Sequence, residues 1–313
     1  GENRYIDLTH SGASATTSTL GGIVMLFPVS GVECSPLLPF AAALCISFVT
    51  SMAGISGAFL LLPFQMSILG YTSPGASATN HLFNVIACPG GVWRFWREGR
   101  LLRPLARIIL AGTLPGALLG ALLRVYWLPD PRSFKLFAGL LLLAVGWRFL
   151  RGLLRGGSGG RGTPSGEVRV LSDSPRELRF SYDGREYVVP RRALWLLCLI
   201  IGLAGGMYGV GGGSLLSPFL VAFFHLPVHA VAGAVLLGTL GTSLFGALGF
   251  VLLSGFVDAA APDWLLGLSF GLGGLCGMYL GARCQKHVSG RAIGWGLVAI
   301  LFFTAIRYLG QGL

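Results

Sequence analysis

The sequence predicts an all-α polytopic membrane protein made of two inverted-topology repeats of about five transmembrane segments each. The helices are expected to break at the midplane, and a small cytoplasmic β-hairpin is expected between the repeats. Three observations carry this reading. The composition is that of a lipid-embedded chain, a glycine-rich break followed by proline occurs twice, and the arginines gather in three stretches. Of 313 residues, 53% are hydrophobic and 11% charged, and mean hydropathy is +0.73. That is too little polar surface for a soluble globule of this size. The 49 glycines favour close helix contact. The apolar runs are long and continuous, unlike the ten-residue alternating strands of a transmembrane barrel.

The order of segments follows from hydropathy and its interruptions. Residues 1–35 form an extracytoplasmic or interfacial segment, in which Leu20 to Gly31 is apolar, too short to span, and holds Pro28. No basic region precedes that run, so no signal peptide is expected. The first repeat, 36–150, contains Leu37 to Met52, the break at Ala53 to Gly57, a short run from Ala58 to Leu69 with Pro63, and spans near 75–96, 104–127 and 134–150. The linker 151–192 is hydrophilic. Its stretch Leu178 to Val189 alternates around Asp183-Gly184, the signature of a tight hairpin. The second repeat, 193–313, runs from Ala193 to Met207, breaks at Gly209 to Gly213, continues as Ser214 to Phe224 with Pro218, and adds spans near 230–253, 264–282 and 292–309.

The two breaks align at an offset of 155, placing Gly54-Ile55-Ser56-Gly57 over Gly209-Val210-Gly211-Gly212 and Pro63 over Pro218. Gly116 to Ala121 likewise matches Gly277 to Ala282. Five segments per half is an odd number, so the second copy enters the membrane from the opposite side. Assigning 94–107, 148–192 and 283–291 to the cytoplasm puts 18 of the 23 Lys and Arg residues there. Both termini then lie outside. The formal charge of +11 is thereby explained by membrane orientation, and no nucleic-acid partner is expected.

Helices starting after the breaks would aim free N–H groups and positive dipole ends inward, a geometry suited to an anion. The starts are open, since Pro63 or Pro218 would also suit a first helical position. Candidate substrate contacts are Ser56, Gly57 and Ala58 at the first break and Gly211, Gly212, Gly213 and Ser214 at the second. Asn80, His81 and Asn84 in the third segment add neutral donors, the two asparagines sharing a helical face. Their aligned positions in the second half, Ala234 and Gly238, are less polar, while Thr239, Thr242 and Ser243 lie one turn along. Interhelical bonding is the competing role for all of these side chains. Gln65 reads as pore-lining or a helix contact, Trp93, Arg94, Trp96 and Arg97 as an interfacial anchor, and His225 and His229 as solvated.

No Asp, Glu, Lys or Arg occurs between Pro36 and Trp93 or between Ala193 and Val257. An ion-coupled pump ordinarily carries an intramembrane carboxylate. Cys34, Cys45, Cys88, Cys198, Cys276 and Cys284 lack metal-ligand spacing, so no metal and no cofactor are expected. Nor is there a Ser/His/Asp arrangement, paired carboxylates or another catalytic set, which argues against a membrane transferase.

The duplicated Gly-x-Ser/Gly-Gly-x-x-x-x-x-Pro pattern resembles the TauE/SafE sulfite exporter family, within the toluene-sulfonate uptake permease superfamily. Gly70-Tyr71-Thr72-Ser73-Pro74, Gly99-Arg100-Leu101 and Gly255-Phe256-Val257-Asp258 add to the likeness, which covers Pro36 to Leu309. The first break departs from the family's glycine-rich form, and the 151–192 insertion is larger than the usual loop. The resemblance implies secondary transport of sulfite, a sulfonate or thiosulfate across the bacterial cytoplasmic membrane. Export by alternating access is the expected mode, with an anion channel as the alternative and a polytopic transferase as the remoter one.

Overall fold

The computed structural model describes residues 17–19, 22–52, 55–99, 101–154, 168–284 and 290–312. Among them are eleven α-helices and two three-stranded antiparallel sheets. The first block holds α1 (Leu37–Met52), α2 (Ala58–Ser67), α3 (Pro74–Ala87), α4 (Pro89–Arg97), α5 (Arg103–Tyr126) and α6 (Pro131–Leu154). The second holds α7 (Arg191–Tyr208), α8 (Gly212–Phe223), α9 (Val228–Ser254), α10 (Trp264–Cys284) and α11 (Gly290–Gly312). Six helical stretches among the described residues are long and apolar enough to cross a membrane, and they lie in α5, α6, α7, α9, α10 and α11. The span expected near 75–96 is two helices meeting at Cys88. Pro89 has no N–H for the carbonyl four residues earlier, which ends α3 there.

Small residues set which helices touch and in which direction. Along α5, Gly112, Gly116 and Gly120 face Cys198, Leu199 and Leu203 of α7 in that order, so the two helices run parallel. A Cβ on Gly116 would stand 2.5 Å from the Leu199 carbonyl oxygen, so these backbones can meet only through glycine. Along α10, Gly273, Gly277 and Gly281 face Phe40, Leu44 and Phe48 of α1, again in parallel. The same reasoning sets α9 parallel to α5, through Gly238 on Ile109 and Gly249 on Leu118, and α10 parallel to α3, through Gly267 on Leu82 and Gly271 on Ile86. Because α1 and α3 both follow α10, they run the same way, and α2 must bring the chain back between them. By the same argument α8 returns the chain between α7 and α9. Gly139 on Leu309 and Gly146 on Phe302 make α6 and α11 antiparallel.

The N-terminal apolar run is not helical. Residues 22–27 form β2 (Gly22–Phe27), which pairs on one side with β1 (Thr17–Thr19) and on the other with β3 (Val32–Cys34). Phe27 is fully buried in the main core, and Ser30 holds the turn to the bundle by giving its N–H and Oγ–H to Asp263 Oδ2 at 3.0 and 2.7 Å. Asp263 in turn caps α10 by accepting the Leu266 N–H at 3.0 Å.

The linker contains more than a hairpin. Strands β5 (Glu177–Tyr182) and β6 (Arg185–Pro190) form the expected pair, turned by Asp183 and Gly184 at φ 51° and 74°, the conformation of a type I′ turn. A third strand, β4 (Val168–Asp173), pairs with β5 across a register shift between Val170 and Ser172. Leu178, Phe180 and Val189 are fully buried on one face. The sheet docks on the corner between α4 and α5, where Asp173 pairs with Arg107 at 3.1 Å. That contact gathers the basic stretches around 94–107 and 168–192 at one end of the bundle.

Candidate functional site

Both expected breaks are real interruptions. At the first, Ala53 and Gly54 lie outside the described residues, and helix α2 starts at Ala58 with Gly57 as its cap. A Cβ on Gly57 would stand 2.5 Å from Ser47 Oγ, so a larger residue would force α1 and α2 apart. At the second, Gly209 ends α7 in the left-handed region at φ 82°, its N–H on Gly205 O at 2.8 Å. Gly211, at φ 78°, caps α8. Glycine alone adopts both conformations without strain, and the chain reverses within three residues. Neither N-cap glycine offers a side chain to the first-turn amides. First-turn amides lack the i−4 acceptor of a helix interior, though at α2 the Leu60 N–H turns to Gly57 O at 3.1 Å.

The helices begin ahead of their prolines, which resolves the ambiguity of their starts. Pro63 and Pro218 sit inside α2 and α8. Pro63 cannot serve the Phe59 carbonyl, and the Tyr208 hydroxyl does so instead at 2.8 Å. The last helix of each block reaches the other block's proline. Tyr308 Oη–H donates to Pro63 O at 3.3 Å, and Arg148 Nε–H donates to Pro218 O at 3.2 Å.

The polar side chains of α3 hold the two breaks together. Asn84 donates from Nδ2 to Val210 O at 2.9 Å and accepts the Ser56 Oγ–H at 2.7 Å, so one amide ties the first break to the second. Ser56 Oγ also takes the Ala58 N–H at 3.2 Å. Asn80 donates to Ala58 O at 3.0 Å and accepts from Gln65 Nε2 at 3.4 Å. His81 places Nε2 3.2 Å from Gly206 O, which requires the proton on Nε2, and its ring fills the space left by Gly246. In α9, Thr239 Oγ1 lies 2.9 Å from Ser214 Oγ, and Thr242 donates to Thr113 Oγ1 at 2.9 Å. The offset of 155 that aligns the breaks carries Asn84 onto Thr239. Thr239 therefore stands to the second break as Asn84 does to the first, which shifts the expected counterpart from Gly238 by one residue.

All of the sequence-derived polar candidates in α3 and α9 are buried, and the structure brings them into one cluster with the two breaks. Ser77 and Ser243 keep hydroxyls with no hydrogen-bond partner, as do Gln65 Oε1 and His81 Nδ1 among acceptors. Ser243 Oγ lies where a Cβ on Gly211 would come within 2.6 Å of it. Unpaired buried polar atoms each cost about 1–3 kcal/mol. Thr113, Ser47 and Tyr208 belong to the cluster but were not singled out from the sequence. Thr113 could have been found beside Gly112 in the packing stripe. His225 and Trp93 lie away from it, and Trp93 packs on Trp96 at 4.9 Å with both rings exposed. No group of three or more His, Cys, Asp or Glu capable of holding a metal occurs among the described residues.

The family model for the sulfite exporter TauE/SafE matches residues 39–308, from the first turn of α1 to within four residues of the end of α11. The chain belongs to the TauE/SafE family. A probable membrane transporter protein of Xylella fastidiosa (strain 9a5c) is 27% identical over 281 residues, spanning 84% of this chain and 92% of the relative. The probable membrane transporter protein YjnA of Bacillus subtilis (strain 168) is 22% identical over 276 residues, spanning 85% and 96%. No solved structure matches. Both chain breaks and both partner helices, α3 and α9, fall inside the matched region. Family membership and the six long apolar stretches make this a polytopic membrane protein of the TauE/SafE transporter type.

Proposed function

We propose that the protein is a secondary transporter that moves sulfite or a related small sulfur-containing anion out of the cytoplasm. In this reading blocks 36–150 and 193–313 are inverted repeats that rock about a shared site near the membrane midplane. The repeat reading is supported by the recurrence of packing under exchange of the blocks. The pair α5 with α7 has its counterpart in α10 with α1, and α5 with α9 in α10 with α3. The carrying observation is that two broken segments bring their helix N-termini to the same buried α3 and α9 surface, α8 with no side-chain cap and α2 with only Ser56 Oγ on its first amide. The cluster's side chains are neutral, so a negative guest would be held by amides and hydroxyls.

Export fits this chemistry. An anion leaving an inside-negative cell gains about 2.3 kcal/mol per charge per 100 mV and needs no coupling ion. The basic end carrying β4 to β6 is then cytoplasmic, and both termini are outside.

The test is sulfite efflux from loaded proteoliposomes, read against thiosulfate, a sulfonate and sulfate. Efflux of a sulfur anion that Gly212→Leu abolishes is the expected result. Wild-type vesicles no leakier than protein-free ones, for every anion tried, would reject the reading. Flux at channel rates without saturation would replace alternating access by a pore.

A further inference from the structure

Away from the breaks, the bundle has a crevice of about 580 Å³ between the starts of α5 and α7. Its two ends differ in chemistry. Arg107, Arg191 and Arg192 line one end, and Ile108, Ala111 and Leu196 line the other. Arg103 opens α5 and Arg191 opens α7, and neither helix has an acidic residue in its first turn. Positive side chains at a helix N-terminus oppose the helix dipole, so an anion placed here is favoured by both.

The protein supplies one carboxylate there. Asp173 of β4 reaches Arg107 at 3.1 Å and also pairs with Arg191. Three arginines against one carboxylate leave two positive charges in excess, and Arg192 has no ion pair among the described residues. Arg191 Nε is buried with no hydrogen-bond partner.

The apolar end is equally specific. Leu196 is half-exposed, and Trp195 stands beside it with Nε1–H on Ala111 O at 3.2 Å. The crevice closes where Gly112 meets Cys198, since even a Cβ there would come within 2.5 Å of the Cys198 side chain. The result is a slot with a cationic mouth at the end of two spanning helices and a short greasy floor directed along them. A free phosphate would use the mouth and leave the floor wet.

We propose that this crevice binds an anionic phospholipid. Its phosphate sits on Arg107, Arg191 and Arg192, and the upper part of one acyl chain lies along Ile108, Ala111 and Leu196. Basic pockets between spanning helices at the cytoplasmic surface suit such headgroups, and Trp195 occupies the interfacial depth where aromatic rings anchor. The lipid would bridge the first and second blocks at the point where the parallel pair α5 and α7 begins. This inference stands apart from the transport reading, since it concerns no residue of the paired breaks.

Native mass spectrometry of the full chain released from nonionic detergent tests it. The probes are phosphatidylglycerol and phosphatidylcholine at equal concentration. Wild type is expected to retain phosphatidylglycerol at least tenfold over phosphatidylcholine, and Arg107→Gln/Arg192→Gln to lose that preference. Both arginines are exposed and Asp173 keeps its pair with Arg191, so the variant should keep its elution profile. Ala111→Phe, which fills the floor and leaves the arginines, is expected to lower phosphatidylglycerol retention severalfold. Equal retention of the two lipids by wild type, or an unchanged preference in the double arginine variant, overturns the proposal. So does a thermal shift from soluble glycerophosphate as large as that from phosphatidylglycerol, which would make the site one for free phosphate esters.

Discussion

The Tyr208 hydroxyl donates to the Phe59 carbonyl at 2.8 Å, joining the last residue of α7 to the first turn of α2. Phe59 O is the carbonyl that Pro63 leaves without an i+4 amide. A helix interrupted by proline in an apolar setting is stable only where another group meets the freed carbonyl. Tyr208→Phe is therefore expected to destabilise the protein by about 1–3 kcal/mol, the cost of an unmet buried acceptor. In a Pro63→Ala background the helix can supply its own amide, and the same Tyr208→Phe change should cost less than half as much. Unfolding of the four proteins in detergent, analysed as a double-mutant cycle, checks this. Equal costs in both backgrounds would separate Tyr208 from the proline.

The glycine stripes make a sharper contrast. Gly116→Ala puts a methyl 2.5 Å from the Leu199 carbonyl oxygen, and Gly277→Ala drives one into the Leu44 carbonyl. Both should sharply reduce folded yield, by equivalent mechanisms in the two blocks. Gly296 in α11 has open space around its would-be Cβ. Gly296→Ala should be neutral or stabilising by up to about 1 kcal/mol through helix propensity. Size-exclusion profiles and melting temperatures of the three variants decide the matter.

Much of this was legible in the residues. The breaks announced themselves because consecutive glycines and a matched proline have few other uses inside an apolar run. Gly112, Gly116 and Gly120 recur at the four-residue spacing that lets helices meet closely. Strand β4 gave no such signal, because its side chains are nearly all exposed and its pairing shifts at Val170. The strand β2 looked like an interfacial piece because hydropathy reports burial and says nothing about pairing partners. Tyr208 and Thr113 act through residues far away in sequence, so no local pattern could reveal them. The register of Thr239 on Asn84 was legible, since the offset of 155 between the breaks carries residue 84 onto 239.

Asp130 offers a pH test outside the spans. It precedes Pro131 and accepts the Ser133 N–H at 3.0 Å at the start of α6, which holds its carboxyl below the usual carboxylate range. A depressed folded value means the contribution is present above the unfolded pKa of about 3.9 and is lost as pH falls through the folded value. Asp130→Ala should lower the melting temperature at pH 7, and the difference from wild type should shrink steadily below pH 4. A difference that stays constant to pH 3 would mean the ionised cap is not its source.

Asn84 and Ser243 lie in the same buried cluster but should fail in different ways. Asn84 spends its amide on Val210 and Ser56, so Asn84→Ala strands a carbonyl and a hydroxyl and loosens both breaks. A loss of roughly 3 kcal/mol is expected, with any transport defect following from poor folding. Ser243 Oγ has no protein hydrogen-bond partner, so Ser243→Ala removes no hydrogen bond within the fold. Its melting temperature should equal or exceed that of wild type while anion efflux falls at least tenfold. Ser243→Thr, which keeps the hydroxyl, should recover part of the rate. A buried hydroxyl left unmet by the protein costs stability unless a guest accepts from it during the cycle. Unchanged efflux in Ser243→Ala would remove that hydroxyl from the site and leave the first-turn amides of α8 to hold the anion without it.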